Sequence, residues 1–296
     1  MEKRLYAMHN TVRFMTRDGM SEEEWEKISA FFRYVDAEWS RFTPDSEVSR
    51  LNGLRIGESL RVSLPLARLL RKATRYLEQT DRLFSPYLLE QQQANGYSQS
   101  FPFTEAVAQT VPSPEQAIPF EIEERHVTRV GGGRIDLGGI GKGAAAMQAA
   151  QLLRKQHARG MVEAGGDVIV WSDGTPWTID IIHPETGQEM TQLTLRQGGV
   201  ATSNRRYRSW KTDQEDRHHL LDGRTGRSVT TSVVQVTAIA NQLYDAEVMT
   251  KVAFQLTAEE RQDLLFDWFP NAQLLVVEAS SEITLEKKGE RMRWNG

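Results

Sequence analysis

The stretch IDLGGIGKG, Ile135 to Gly143, decides how the rest of the chain is read. It reads as a short strand entering a glycine-dense turn, followed by an alanine-rich helix that begins near Ala144. Four glycines (Gly138, Gly139, Gly141, Gly143) predict positive φ and a row of exposed N–H groups, and the helix start adds its unsatisfied amides and dipole at the same point. Such a place binds anions, phosphates above all. Lys142 adds a mobile positive charge inside the loop. The competing reading is a packing turn, in which glycine lets a helix crowd a strand.

Two familiar phosphate-binding loops are tested against this stretch first. A Walker A loop needs glycine five residues before Gly141 and Ser or Thr after the lysine, and this chain has Asp136 and Gly143 there. A Rossmann fingerprint fits better, because Gly139, Gly141 and Ala144 satisfy GxGxxA and Glu163 stands near the distance of a ribose-binding acid. That makes an NAD(P)-dependent oxidoreductase an alternative. Against it, the motif sits mid-chain and no train of βαβ units surrounds it.

Composition narrows the classes. The chain has 296 residues, 39% hydrophobic and 26% charged, as expected of a globular protein with a core. A net charge of -4 predicts neither nucleic acid nor an anionic membrane as the main partner, although Arg205, Arg206 and Arg208 form a local basic cluster. The chain contains no cysteine, which excludes disulfides, thiolate metal sites, a cysteine nucleophile and a lipid anchor on cysteine. No apolar run reaches membrane length and the start lacks a signal-peptide pattern, so the sequence predicts a cytoplasmic chain with no stable membrane anchor.

Outward from the glycine stretch, helices and strands fall in separate blocks. Tyr6 to Phe14 alternates like a strand. Ser21 and Glu24 form a capping-box pattern ahead of Trp25, Ile28, Phe31, Phe32, Val35 and Trp39 at helical spacing. Ser63 and Pro65 open another helix with Leu66, Leu69, Leu70, Ala73 and Leu77 on one face. Residues 98–134, broken by four prolines, read as an irregular subdomain connection. After the alanine-rich helix come strands at Met161–Val162, Val168–Trp171, Trp177–Ile182, Met190–Leu195, Gly199–Ser203, His218–Leu221 and Val229–Ile239. Helices over Asp245–Leu256 and Thr257–Trp268 and a strand at Leu274–Glu278 close the pattern. This segregation predicts an α+β fold of mainly antiparallel sheet with flanking helices.

Six ordered segments carry a resemblance: RFTPDSEVSRLN (41–52), LFSP (83–86), DLGGIGKG (136–143), EAGGDV (163–168), GVATS (199–203) and HHLLDGRTG (218–226). Together they resemble the FAD:protein FMN transferases of the ApbE type over nearly the whole chain, 1–296. The resemblance implies one domain of two interleaved subdomains with a flavin site between them. It implies an enzyme that takes FAD as substrate and moves FMN to a Thr or Ser hydroxyl of an acceptor protein, releasing AMP with the help of Mg2+. A non-catalytic FAD-binding relative is the alternative within the same fold. By residue matching, Met8, Phe42, Phe84, Ser85, Pro86, Gly138, Lys142 and Ala144 would line the flavin.

The same matching singles out His219 as the catalytic residue. Strand alternation sets His218 and His219 on opposite faces, so they do not share a metal, while a hydroxyl attacking phosphorus needs a group to take its proton. Three positions depart from the family pattern: Ser85 and Met147 stand where it has aspartates, and Gly223 where it has proline. The implied metal ligands are the Gly141 carbonyl and Glu247, and Lys251 occupies the position of a further ligand, which an ammonium cannot be. If Asp245 is chosen instead, Thr250 follows five residues later, off the same helical face. On a solvated helix, Glu247 and Lys251 would be only an exposed i,i+4 pair worth ~0.2 to 0.5 kcal/mol. The functional reading is that Lys251 lies near the pyrophosphate and supplies part of the positive charge, so that Mg2+ binds weakly through Glu247 and Gly141 or is dispensable.

Overall fold

A computed structural model describes residues 1–212 and 216–294. The chain divides into two compact units, and in each the sequence enters, leaves and returns. The first comprises Met1–Asp36, Lys142–Asn204 and Thr231–Gly296, and the second Ala37–Gly141 and Arg205–Thr230. Residues 98–134 lie inside the second unit.

The first unit is built on a nine-stranded sheet, counted among the described residues. Its order is Glu2–Ala7, Asn10–Thr16, Gly160–Ala164, Asp167–Trp171, Gly198–Asn204, Val233–Ala240, Gln273–Glu278, Ile283–Lys287 and Glu290–Arg293. Every neighbouring pair is antiparallel. This bears out the α+β expectation and leaves no parallel βαβ unit among the described residues for a Rossmann site. Glu163, the ribose-binding candidate of that reading, instead pairs with Arg13 and accepts the Gly166 amide.

The middle strands are buried at nearly every position because both faces are covered. Asp167–Trp171 is buried throughout. One face is covered by the hairpin Trp177–Ile182/Glu189–Leu195, whose Trp177, Ile179, Ile181 and Leu195 pack on Val168, Val170, Val200 and Leu275. A helix, Leu243–Ala253, packs on Gly198–Asn204 and Val233–Ala240.

The Tyr6 to Phe14 alternation is two strands rather than one. Ala7 pairs with Asn10 across a two-residue turn in which Met8 and His9 have φ of 52° and 57°. A tight hairpin of this kind needs φ > 0 at both central residues, and a Met-His pair gives no sequence signal for it. The next helix, α1 (Glu22–Glu38), begins as expected: Glu24 N–H donates to Ser21 Oγ, and Ser21 N–H donates to the Glu24 carboxylate.

The second unit holds α2 (Glu47–Gly53), α3 (Leu64–Gln79) and α4 (Leu89–Ala94) and a small sheet in the order Ser59–Arg61, His126–Arg129, Phe120–Glu123, with α3 packed on Phe120–Glu123. Part of the stretch read as irregular, 98–134, is therefore strand. All five apolar positions predicted for α3 are buried, each large side chain contributing roughly 1.5–3 kcal/mol relative to exposure.

The glycine stretch takes a different form from the one its composition suggests. Ile135–Leu137 is not a strand, and the following helix, α5 (Gly141–Leu153), starts three residues before Ala144. None of Gly138, Gly139, Gly141 and Gly143 has positive φ. Leu137 O already accepts from the Ile140 and Gly141 amides, so the turn winds directly into right-handed helix.

Candidate functional site

Within the second unit the glycine turn is fastened to the LFSP segment. Asp136 N–H donates to Pro86 O at 2.8 Å, and the Phe84 ring stands against Gly139. Asp136 is the organising residue, and the sequence reading gave it no role. Its Oδ1 accepts the Gly138 amide at 2.7 Å, closing an Asx turn, while Oδ2 lies 2.9 Å from Arg41 Nε. Arg41 in turn lies over the rings of Phe42 and Tyr97, 4.1 and 4.8 Å from their centroids, and donates to Tyr97 O. The structure thus brings Phe84, Pro86 and Gly138 together directly and links Phe42 to them through Arg41. Ser85, at a position where the resemblance implies aspartate, uses its Oγ to accept the Tyr87 amide.

The adjacent histidines His218 and His219, both in the second unit, differ in what their rings do. His218 ends the strand Asp216–His218, and His219 follows just beyond it. Leu220 N–H donates to His218 Nδ1, so Nε2 carries the proton and donates to Val229 O at 3.1 Å. Burial lowers the His218 pKa, and the charge of Arg205 acts in the same direction. His219 Nδ1 lies 3.3 Å from Arg208 O, an atom that can only accept, which places the proton on Nδ1 and the lone pair on Nε2. Its backbone is pinned on both sides, N–H to Arg208 O and C=O from Gln92 Nε2.

In the first unit, Met8 sits in the hairpin turn with its amide on Asp36 Oδ1, and Ala144 is buried in α5. Lys142 is not the mobile charge its sequence context suggests: Nζ is held 2.8 Å from Asp167 Oδ2. Asp167 is 3% exposed, and its Oδ1 accepts the Thr202 amide. The second carboxylate of this cluster is Glu247, on the helix Leu243–Ala253, here α6. It is 0% exposed, which corrects the picture of an exposed i,i+4 pair with Lys251. Glu247 Oε2 accepts the Gly143 amide at 3.0 Å, and Oε1 lies 3.7 Å from Lys142 Nζ with no hydrogen-bond partner. Gly143 is required here because a Cβ would overlap Oε2 and lie 2.8 Å from Cδ. Three more substituted or alternative positions are accounted for. Met147 is buried, with its sulfur accepting the Leu243 amide at the start of α6. Thr250 is buried and bonded to Glu247 O and Ser203, so it does not converge with Asp245 on a metal. Gly223 lies in a turn in which Asp222 Oδ1 accepts the Arg224 and Thr225 amides.

Burial acts to raise the pKa of Asp167, but the charges of Lys142 and Lys251 outweigh it and hold the carboxyl below its ordinary value. Glu247 goes the other way: burial and the charge of Asp167 push it up to about 7 against the pull of both lysines. An acid whose pKa is raised on folding keeps a proton that the unfolded chain has released, so stability falls as pH rises between about 4.5 and 7. Glu247→Gln is expected to remove that slope, gaining on the order of 2 kcal/mol relative to the parent from mildly acidic to mildly alkaline buffer. Thermal melts across pH read this, and parallel profiles for the two proteins would show that Glu247 is ionised throughout.

The glycine segment was expected to offer amides to an anion. The Gly138, Ile140, Gly141 and Gly143 amides are instead committed to Asp136, Leu137, Leu137 and Glu247. A divalent cation does not fit the residues around Glu247. Two carboxylates face two ammonium groups, and no group of three or more His, Asp or Glu able to hold a metal exists among the described residues. Among those residues, no helix is long and apolar enough to cross a membrane.

Comparison with known proteins agrees with the fold described above. The chain is 30% identical over 132 residues to the FAD:protein FMN transferase of Klebsiella pneumoniae (strain 342), covering 44% of this chain, and it spans only 41% of that relative's length. The protein of the same name from Haemophilus influenzae is 26% identical over 259 residues, covering 80% of this chain and 73% of the other. The crystal structure of the ApbE protein from Thermotoga maritima superimposes with a TM-score of 0.81 at 26% identity, covering 98% of this chain and 97% of that one. The ApbE family model matches residues 8–273, from the first hairpin turn to the strand that begins at Gln273, and the chain belongs to the ApbE family.

Proposed function

We propose that this chain is an FAD:protein FMN transferase that moves FMN from FAD to a Thr or Ser hydroxyl of an acceptor protein. His219 carries the reading: a ring fixed by Arg208 O in the tautomer that keeps a lone pair on Nε2 is suited to take a hydroxyl proton. As that proton leaves, the hydroxyl oxygen forms a bond to the FMN-side phosphorus. The phosphorus–oxygen bond to the AMP phosphate breaks, and AMP departs with the bridging oxygen. Phe42, Phe84, Ser85, Pro86 and Gly138 are the second-unit residues assigned to the flavin nucleotide, and their assembly around Asp136 supports the assignment.

The test combines binding and product analysis. FAD is expected to bind more tightly than FMN by calorimetry, because FMN lacks the pyrophosphate and the AMP half. Incubation with FAD and a flavoprotein acceptor is expected to release AMP and leave flavin covalently on the acceptor. FAD binding without AMP release would instead identify a non-catalytic relative, and equal affinity for FAD and FMN would exclude recognition of the pyrophosphate.

A further inference from the structure

Lys142, Asp167, Glu247 and Lys251 form a four-charge cluster at the start of α5, directly after the glycine turn, in which the two carboxylates are buried and the two lysines partly exposed. Asp167 and Glu247 are 3% and 0% exposed, and Lys142 Nζ reaches both, at 2.8 and 3.7 Å. Lys251 stands one helical turn beyond Glu247 on α6, and its charge acts on both carboxyls. The second oxygen of Glu247 is buried, makes no hydrogen bond and lies 3.7 Å from Lys142 Nζ, which leaves an ammonium as its counter-charge. The two ammonium groups thus already match the two carboxylates in charge, and a dication would add two more positive charges beside them. Nor do the neighbouring amides substitute for that charge, because the Gly143 amide is already given to Glu247.

We propose that Lys251, together with Lys142, takes the place of a divalent cation in this chain, so that the positive charge opposite a pyrophosphate is supplied by two tethered ammonium groups. Where this concerns flavin it rests on the transferase reading above. The charge substitution itself concerns only the first unit and is measurable without ligand.

Magnesium is titrated into the ligand-free full chain and into Lys251→Thr and Lys251→Met during thermal melts, and FAD affinity is measured by calorimetry with magnesium or with EDTA. The parent is expected to melt at the same temperature with and without magnesium and to bind FAD equally in both buffers. Lys251→Thr, which replaces the ammonium by an oxygen ligand, is expected to melt higher with magnesium and to recover with it an FAD affinity lowered about tenfold or more in EDTA. Lys251→Met removes the charge without supplying an oxygen, and magnesium should rescue neither its melting temperature nor its affinity. A parent that melts higher in magnesium, or loses FAD in EDTA, overturns the proposal. So does a magnesium response that is the same in Thr and Met variants. If the melts follow expectation but FAD binds in neither buffer, the charge substitution stands and the flavin reading fails.

Discussion

Replacing His219 by alanine is expected to slow FMN transfer by ~10² to 10⁴-fold, the loss typical of a positioned proton acceptor, with FAD affinity and circular dichroism unchanged. The expectation follows from how the ring is held. Arg208 O takes the Nδ1 proton, and the backbone on both sides of His219 is fixed by Arg208 and Gln92, so the ring is oriented before any substrate arrives. His218 provides the contrast. Both of its nitrogens are used within the hairpin, on Val229 O and the Leu220 amide, so His218→Ala should cost about 1–3 kcal/mol of stability through unpaired buried groups. Its effect on rate should be small once the variant is assayed well below its melting temperature. Single-turnover AMP release and thermal melts on both variants separate rate from stability. If the two alanine variants lose rate equally, or if His219→Ala loses its fold, His219 is a structural residue and the proton goes elsewhere.

What the sequence disclosed and what it hid follow the range of the interactions. Signals carried within one turn of helix were legible: the Ser21/Glu24 capping box forms as its spacing predicts, and so does the Ser63 cap. The apolar runs of the central strands were legible for the same reason, since burial on both faces leaves a continuous pattern. The Met8-His9 turn was not, because its geometry is imposed by pairing of the flanking strands rather than by turn-forming side chains. The site was half legible. Residues that meet within a segment, such as Asp136 and Gly138, sit in plain view once an Asx turn is considered. Lys142 and Asp167 are 25 residues apart, and Gly143 and Glu247 are 104 apart. Nothing local in the sequence says that the lysine is tethered or that the glycine makes room for a carboxylate. The four glycines illustrate the ambiguity: composition suggested left-handed backbone, and at Gly143 the fold uses the missing Cβ for close approach instead.

Close approach also sets the last expectation, Gly223→Ala. The resemblance implies proline at this position, and glycine here is a change in path rather than a neutral replacement. A Cβ on Gly223 would overlap the Arg82 carbonyl oxygen and lie 2.6 Å from that of Leu83, both backbone atoms that no rotamer change can move away. Proline, which also carries a Cβ, is excluded from this path for the same reason. The turn has other means of holding its shape: Asp222 Oδ1 accepts the Arg224 and Thr225 amides, Asp222 O accepts the Gly226 amide, and Arg224 pairs with Asp81. An added methyl must therefore displace residues 82–83 or open the turn, and overpacking against backbone is expected to cost about 3 kcal/mol or more. Because Leu83 leads directly into Phe84, Ser85 and Pro86, the same displacement should lower FAD affinity, whereas Gly174→Ala, with nothing within 4 Å of its added Cβ, should leave both unchanged. Thermal melts and FAD calorimetry on the two variants decide it. A Gly223→Ala protein that melts with the parent would mean the turn relaxes freely, and the glycine would then be no constraint on the segment that holds Phe84.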